Sequence, residues 1–356
     1  MGQMHLGGSD RSMNSVERHR TTLEVKEPDR VPVAPSFLTR AIRTAGVRQY
    51  DYHTNPEVLA AAQIGHCERY DFDGVFISSD NVIMYEALGG RIVFKDEHSY
   101  PFWTDPLIDD SRDLSQLKVP DPSGDGRMPV VIEAARLAAE HVGKQRFVLA
   151  NIDSGPFQLA CTLMEMSRAM LHLVDRPDEM RTILEFCSQV TIAYGTAMAA
   201  SGCHGLQFGE SSASLIGRKL FEEIVWPYDC LVIQALKTLG LYVFLHVCGD
   251  SRSIFDLLVE SGADCLEFDS QVDMAWAKER ARGQITLKGN INTSSFISKT
   301  ADEITAECQT TIEAAKPGGG FILCGGCEVP SDAPDENLLA VRQSVDRFGR
   351  YSGTAL

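Results

Sequence analysis

The 356-residue chain is 44% hydrophobic and 23% charged, the profile of a globular protein with room for two ordinary domains or one large α/β barrel. A formal net charge of −16 speaks against nucleic acid and anionic membrane surfaces as partners, because binding phosphates needs a positive footprint. No apolar run reaches the roughly 18 residues that a membrane-spanning helix needs.

The opening residues, MGQMHLGGSDRSMNSVERHR, lack an apolar signal core and read as a disordered leader over 1–20. A domain is expected over 21–350, with 351–356 as a tail, in the cytoplasm. In that reducing compartment the ten cysteines serve as buried small hydrophobes or metal ligands rather than as disulfides. Eight short apolar runs alternate with segments of helical period, over 31–37, 74–79, 147–152, 205–209, 242–247, 265–269, 285–289 and 321–324. Their near-continuous apolar character is that of parallel strands covered on both faces. Between them, 129–141 shows helical spacing, and Arg176-Pro177 opens a helix over 178–202. Asp250, Ser251 and Ser253 offer caps for a helix that Gly262 terminates, and a helix over 300–315 stops at Lys316-Pro317-Gly318. Two stretches break the rhythm: 89–105 reads as an inserted hairpin or lid, and 118–129 as a loop rich in Pro, Gly and Asp. Strand–helix alternation eight times over predicts an α/β fold, a single-domain (β/α)8 TIM barrel with an N-terminal extension and the inserted hairpin. A doubly wound sheet is the competing arrangement.

The sharpest chemical signal is Leu245-His246-Val247-Cys248-Gly249-Asp250, at the end of the fifth run. Two residues apart on an extended chain, His246 and Cys248 point to the same side and can approach one metal. The eighth run, FILCGGCEVP, places Cys324 and Cys327 at another strand end. In a barrel all these ends share one face, where catalytic groups sit. Cys324 lies within the apolar run and packs; Cys327, in the loop beyond, is taken as the third ligand. Three ligands leave a fourth position open, as in catalytic rather than structural zinc sites. A chance pairing of buried His and Cys, or a C-x-x-C redox pair, is the competing reading.

Acidic residues at strand ends can join such a site. Glu210 is the candidate for a fourth ligand or a substrate-binding acid, with Asp269 in reserve. Glu267, two residues before Asp269, shares its strand end, where an acid can ligate metal, orient His246 or cap a helix. Phe157, Tyr85, Trp103 and Trp226 are candidates to line a substrate pocket, with core packing the alternative for each; Trp103 falls on the expected lid.

The H-x-C, followed much later by GCEVP and PDENL, resembles the cobalamin-dependent branch of the uroporphyrinogen decarboxylase superfamily, which includes methylcobalamin:coenzyme M methyltransferases and related corrinoid demethylation enzymes. DPSGDGRMPVVIEA (121–134), NIDSGPFQLA (151–160), KGNINTSSF (288–296) and APDENLLA (333–340) share the likeness, which runs from about residue 20 to 350. The resemblance implies a (β/α)8 barrel holding Zn2+ on His246, Cys248 and Cys327. It also implies a corrinoid as methyl donor or acceptor, presented by a partner corrinoid protein. The small substrate would be a thiol, a methoxy or N-methyl compound, or tetrahydrofolate. Zinc with two thiolates and one imidazole suits the binding of a further thiol, made nucleophilic by deprotonation. The decarboxylase branch is the nearest rival: Asp80 falls where those enzymes keep their pyrrole-binding aspartate, and Arg40 and Arg43 are present without the family's arginine pattern. Decarboxylation needs no metal, which leaves His246 and Cys248 without a purpose. A non-catalytic, zinc-stabilised barrel that docks a corrinoid protein is the third reading.

Overall fold

In the computed structural model, which describes residues 12–95, 100–109 and 113–351, nine strands follow one another. They are β1 (Gly74–Ile77), β2 (Ile92–Val93), β3 (Phe102–Trp103), β4 (Phe147–Ser154), β5 (Gly205–Gly209), β6 (Tyr242–Val247), β7 (Cys265–Phe268), β8 (Thr286–Ile291) and β9 (Phe321–Gly325). Seven of them form one parallel sheet in the order β1-β4-β5-β6-β7-β8-β9. Every residue of β7, β8 and β9 is buried, as strands covered on both faces require.

The first apolar run, expected as a strand, is not a regular one. Pro32 and Pro35 carry no N–H, so the segment cannot sustain a ladder. It closes the barrel nonetheless. Leu323 N donates to Pro32 O (2.9 Å), Ala34 N to Leu323 O (3.0 Å) and Asp73 N to Val33 O (2.8 Å), so 32–34 bridges β9 to the start of β1. The result is the (β/α)8 barrel, with its eighth position held by a few bonds rather than a ladder.

Helices appear where the helical period predicts them, at Met128–Val142, Pro177–Ala199 and Ala301–Ala315, the last opened by a Thr300–Glu303 capping box. The expected hairpin is present as antiparallel β2 and β3, with Ile92 opposite Trp103; residues 96–99 at its tip lie outside the described residues. Residues 1–11 of the expected leader and 352–356 of the expected tail lie outside them too. The rest of that leader is not disordered: a helix runs from Ser15 to Leu23, opened by an Asn14–Glu17 capping box. Among the described residues no helix is long and apolar enough to cross a membrane.

That N-terminal helix is tied to the barrel by one buried carboxylate. Asp73 accepts from Ser15 Oγ (2.8 Å), Arg18 Nη1 (2.6 Å), Arg30 Nη1 (2.6 Å) and Val33 N (2.9 Å). Burial pushes Asp73 up, but the guanidinium groups of Arg30 and Arg18 override it and hold the carboxyl well below the usual range. Beside it, His19 is buried, stacks on Phe147 with ring centres 4.6 Å apart, and donates from Nδ1 to Ser15 O (2.8 Å). Burial pushes His19 down to about 4.

Two outcomes follow for stability. Replacing Asp73 by Asn removes the buried carboxylate partner of Arg30 and leaves Arg18 with Asp29 alone, and urea unfolding should show a loss of about 3–5 kcal/mol. For His19, the unfolded chain takes up a proton near pH 6.5 while the folded chain resists until about 4, so stability present above 6.5 falls across that interval. At pH 5 the His19→Gln variant should show a slope of stability against pH shallower by about one proton, roughly 1.4 kcal/mol per pH unit.

Candidate functional site

Strand β6 delivers His246 as its penultimate residue, in register with Gly209 on β5 and Glu267 on β7. Cys248 follows the strand, and Gly249, at φ 75°, turns the chain away. A side chain at Gly249 would meet Ser214 Oγ at 2.7 Å. Cys327 arrives from the loop after β9, through Gly326. A Cβ on Gly326 would stand 2.6 Å from Ser270 N, so only glycine lets this loop pass the end of β7.

These turns bring three donor atoms together. His246 Nε2 lies 3.0 Å from Cys248 Sγ, and Cys248 Sγ lies 3.8 Å from Cys327 Sγ. All three donor atoms fall within 4.8 Å of one another, the one such group of His, Cys, Asp and Glu among the described residues. The sulfurs are too far apart for a disulfide, which needs about 2.05 Å. Two sulfurs each about 2.3 Å from a tetrahedral zinc sit about 3.8 Å apart, so the thiol pair matches such a centre. The imidazole-and-thiol donor set is also of the kind that zinc takes.

Behind His246 stands Glu267, buried, its Oε2 3.6 Å from Nδ1. Lys288 Nζ donates to the same oxygen (3.2 Å) and to Ser36 Oγ (3.0 Å), which donates to Glu267 Oε1 (3.2 Å). His246 Nδ1 is itself buried without a hydrogen-bond partner, aimed at the carboxylate. Burial would push His246 down, but the charge of Glu267 overrides it and raises the ring to about 10. Hydrogen bonding from Cys327 pulls the Cys248 thiol below its ordinary value, and the same bond pushes Cys327 up.

The remaining candidates are placed as follows. Cys324 is buried under the barrel mouth and donates to Glu267 Oε1 (3.5 Å), outside the three-atom group. Glu210 does not reach the group either. Its two oxygens accept from Phe157 N and Gln158 N, both at 2.9 Å, so the carboxyl caps the helix Pro156–Met164, where N–H groups want an acceptor. Gly155 leaves it room, since a Cβ there would lie 2.3 Å from Glu210 Oε1. Burial pushes Glu210 up to about 7, and burial together with Glu210 pushes its neighbour Asp229 well above the usual range. Asp269 anchors turns: its Oδ2 accepts from Gly249 N (3.1 Å), and its Oδ1 from Ser270 Oγ and Gln271 N (both 3.2 Å).

Asp80 is buried and occupied by Arg127 Nη1 (2.5 Å), His53 Nδ1 (3.2 Å), Ser79 Oγ (2.9 Å) and Val82 N (3.0 Å). Phe157 is core, and Trp103 packs on Tyr85 with ring centres 5.8 Å apart. None of Asp80, Phe157 and Trp103 lines the cavity that opens beside the donor group. That cavity, of about 130 Å³, is walled by His246 and Cys327 and by Asn151, Asp153, Gln207 and Glu328. Those last four were missed from the sequence. Asp153 carried the one usable signal, an acid at the end of an apolar run.

Comparison with known proteins now places the chain. The uroporphyrinogen decarboxylase (URO-D) family profile matches residues 14–348. The methylcobamide:CoM methyltransferase MtbA of Methanosarcina acetivorans is 25% identical over 93% of this chain and 97% of its own. A uroporphyrinogen decarboxylase of Anaeromyxobacter dehalogenans is also 25% identical, over 91% of this chain and 96% of its own. Among solved structures, a methyltransferase from Methanosarcina mazei superposes with a TM-score of 0.85 at 23% identity, covering 94% of this chain and 99% of that one. A likeness of that depth shows a shared fold, and the profile match extends it to a family: this chain belongs to the uroporphyrinogen decarboxylase (URO-D) family.

Proposed function

We propose that this protein is a zinc-dependent methyltransferase that moves a methyl group between a corrinoid and a small substrate held at His246, Cys248 and Cys327. The observation that carries the reading is the donor group itself, one imidazole and two thiols, of which His246 and Cys327 wall a small cavity. The relatives named methylcobamide:CoM methyltransferases support it, while the equal identity to a decarboxylase shows that overall similarity does not decide between the two. Two features favour transfer. Decarboxylation has no use for this donor group, and Asp80, the residue it would need, spends its charge on Arg127 and His53.

When bound, zinc would favour the thiolate form of a substrate thiol and so make it a nucleophile. The chain's own residues do the rest. Glu267 attracts Nδ1 of His246 across 3.6 Å, which favours the ring orientation with Nε2 toward the thiols, and Lys288 and Ser36 hold Glu267 in turn. The cavity is close in size to the roughly 150 Å³ hole that accepts benzene, so it suits a small molecule and leaves the corrinoid ring outside the mouth. In transfer to a thiol, the thiol proton leaves first and the methyl carbon bonds to sulfur through the thiolate's electron pair. The carbon–cobalt pair stays on cobalt. A corrinoid protein is the partner this arrangement calls for.

Metal analysis of the purified protein should find one zinc per chain; a metal-free, active protein would overturn the reading. Cys248→Ala should lower both zinc content and methyl transfer from methylcobalamin by about a hundredfold or more while thermal unfolding stays within a few degrees. Unfolding of that variant would instead favour a structural zinc. Glu267→Gln should weaken zinc binding about 10- to 100-fold in a chelator competition, because His246 loses its orienting carboxylate.

A further inference from the structure

Apart from His246 and Cys327 of the donor group, every ionisable side chain that lines the cavity is a carboxyl group. Asp153, Glu267 and Glu328 line it, and among the described residues that do so there is no lysine or arginine. The cations behind the wall are already matched: Lys288 to Glu267, Arg127 to Asp80 and Glu86, and Arg40 to Asp335. Lys288 is paired with Glu267, which leaves Asp153 and Glu328 as the lining carboxyls without a cation; burial raises both above the usual carboxyl range, and Glu328 has Thr39 N (3.0 Å) and Thr39 Oγ1 (2.9 Å) donating to its Oε1.

A second observation points the same way. Gln207, which lines the cavity beside Asn151, has a buried side-chain oxygen with no donor. A buried acceptor without a partner is costly, and a turn of the Gln207 amide toward the cavity would let a ligand N–H or O–H remove the cost. Asp153 is held firmly for the same task. It sits at φ 68°, in the left-handed region that a non-glycine residue avoids, with its carboxyl accepting from Met84 N (3.1 Å) and Ser154 Oγ (2.9 Å). Burial pushes this carboxyl up to about 7, and an incoming cation or N–H would restore the stabilisation that burial removes.

We infer that the small substrate of this cavity is an uncharged or cationic molecule that presents N–H or O–H groups to Asp153, Gln207 and Glu328, and is not an anion. The inference rests on the metal-site reading above. It also separates this chain from what the relatives' names specify, since coenzyme M is a sulfonate, which brings acceptors and negative charge to a wall that already has both.

Three thiols with the same two-carbon chain test this directly: 2-aminoethanethiol, 2-mercaptoethanol and 2-mercaptoethanesulfonate. Binding to the cobalt(II)-substituted protein is read from the sulfur-to-cobalt charge-transfer absorbance, with no turnover required. The amine and the alcohol should each bind at least about tenfold more tightly than the sulfonate. Asp153→Asn should bring the amine and the sulfonate to within about threefold of each other, which removes differences in thiol acidity as the explanation. Gln207→Leu should weaken the alcohol more than the sulfonate. Equal or tighter sulfonate binding, or an unchanged preference in both variants, would overturn the inference. A protein that takes up no cobalt, and so lacks even the charge-transfer band of Cys248 and Cys327, would overturn the metal-site reading on which it rests.

Discussion

The barrel depends on how its weakest seam is held. Between β9 and β1 there is no ladder, only the proline-bounded segment around Val33, bonded to Leu323 on one side and to Asp73 on the other. This carboxylate accepts from the segment's own backbone and from two arginines that precede the segment, one on the N-terminal helix. A buried charge with so many donors is stabilised only while all of them are present, so helix, seam and first strand order together. Closure is what curls the sheet far enough for the end of β6 and the loop after β9, which are not neighbours in the sheet, to supply donors to one point.

Much of this was legible in the residues, and the exceptions have physical causes. Seven apolar runs became strands because continuous burial leaves a continuous apolar signature. The run over 31–37 carried the same signature, yet Pro32 and Pro35 made it a seam. The helix from Ser15 to Leu23 was hidden by a polar, arginine-rich stretch; its Asn14–Glu17 box was visible, but the buried partner of Arg18 lies 55 residues away. At the site, His246 and Cys248 share a short motif that strand geometry explains. The roles of the acids were harder to read, because each depends on which distant donor it faces. Glu210 meets the start of a helix, Asp269 meets turn amides, and Glu267 meets the imidazole. Residues at strand ends are chosen by partners on other strands, and one sequence does not show those partners.

The acids also divide by how their charge is met. Glu267 and Asp80 are paired with buried cations and stay ionised, whereas Glu210 and Asp229 face each other without one, so burial opposes their ionisation. An acidic composition overall therefore says little about the interior. What matters locally is which carboxyls have been given a cation, and around the cavity those of Asp153 and Glu328 have not.

The turn at Asp269 and Ser270 has a mechanical meaning. Its carboxylate receives the amide that follows Cys248, its backbone carbonyl receives Asn290 Nδ2, and Gly326 presses against the amide of Ser270 with no space to spare. Both loops that carry thiols rest on this one corner, which belongs to the same strand end as Glu267. The spacing of the donors is therefore set by backbone against backbone. An ion bound there would find its donors assembled in advance, and a shift of the corner would move the three donors and Glu267 together.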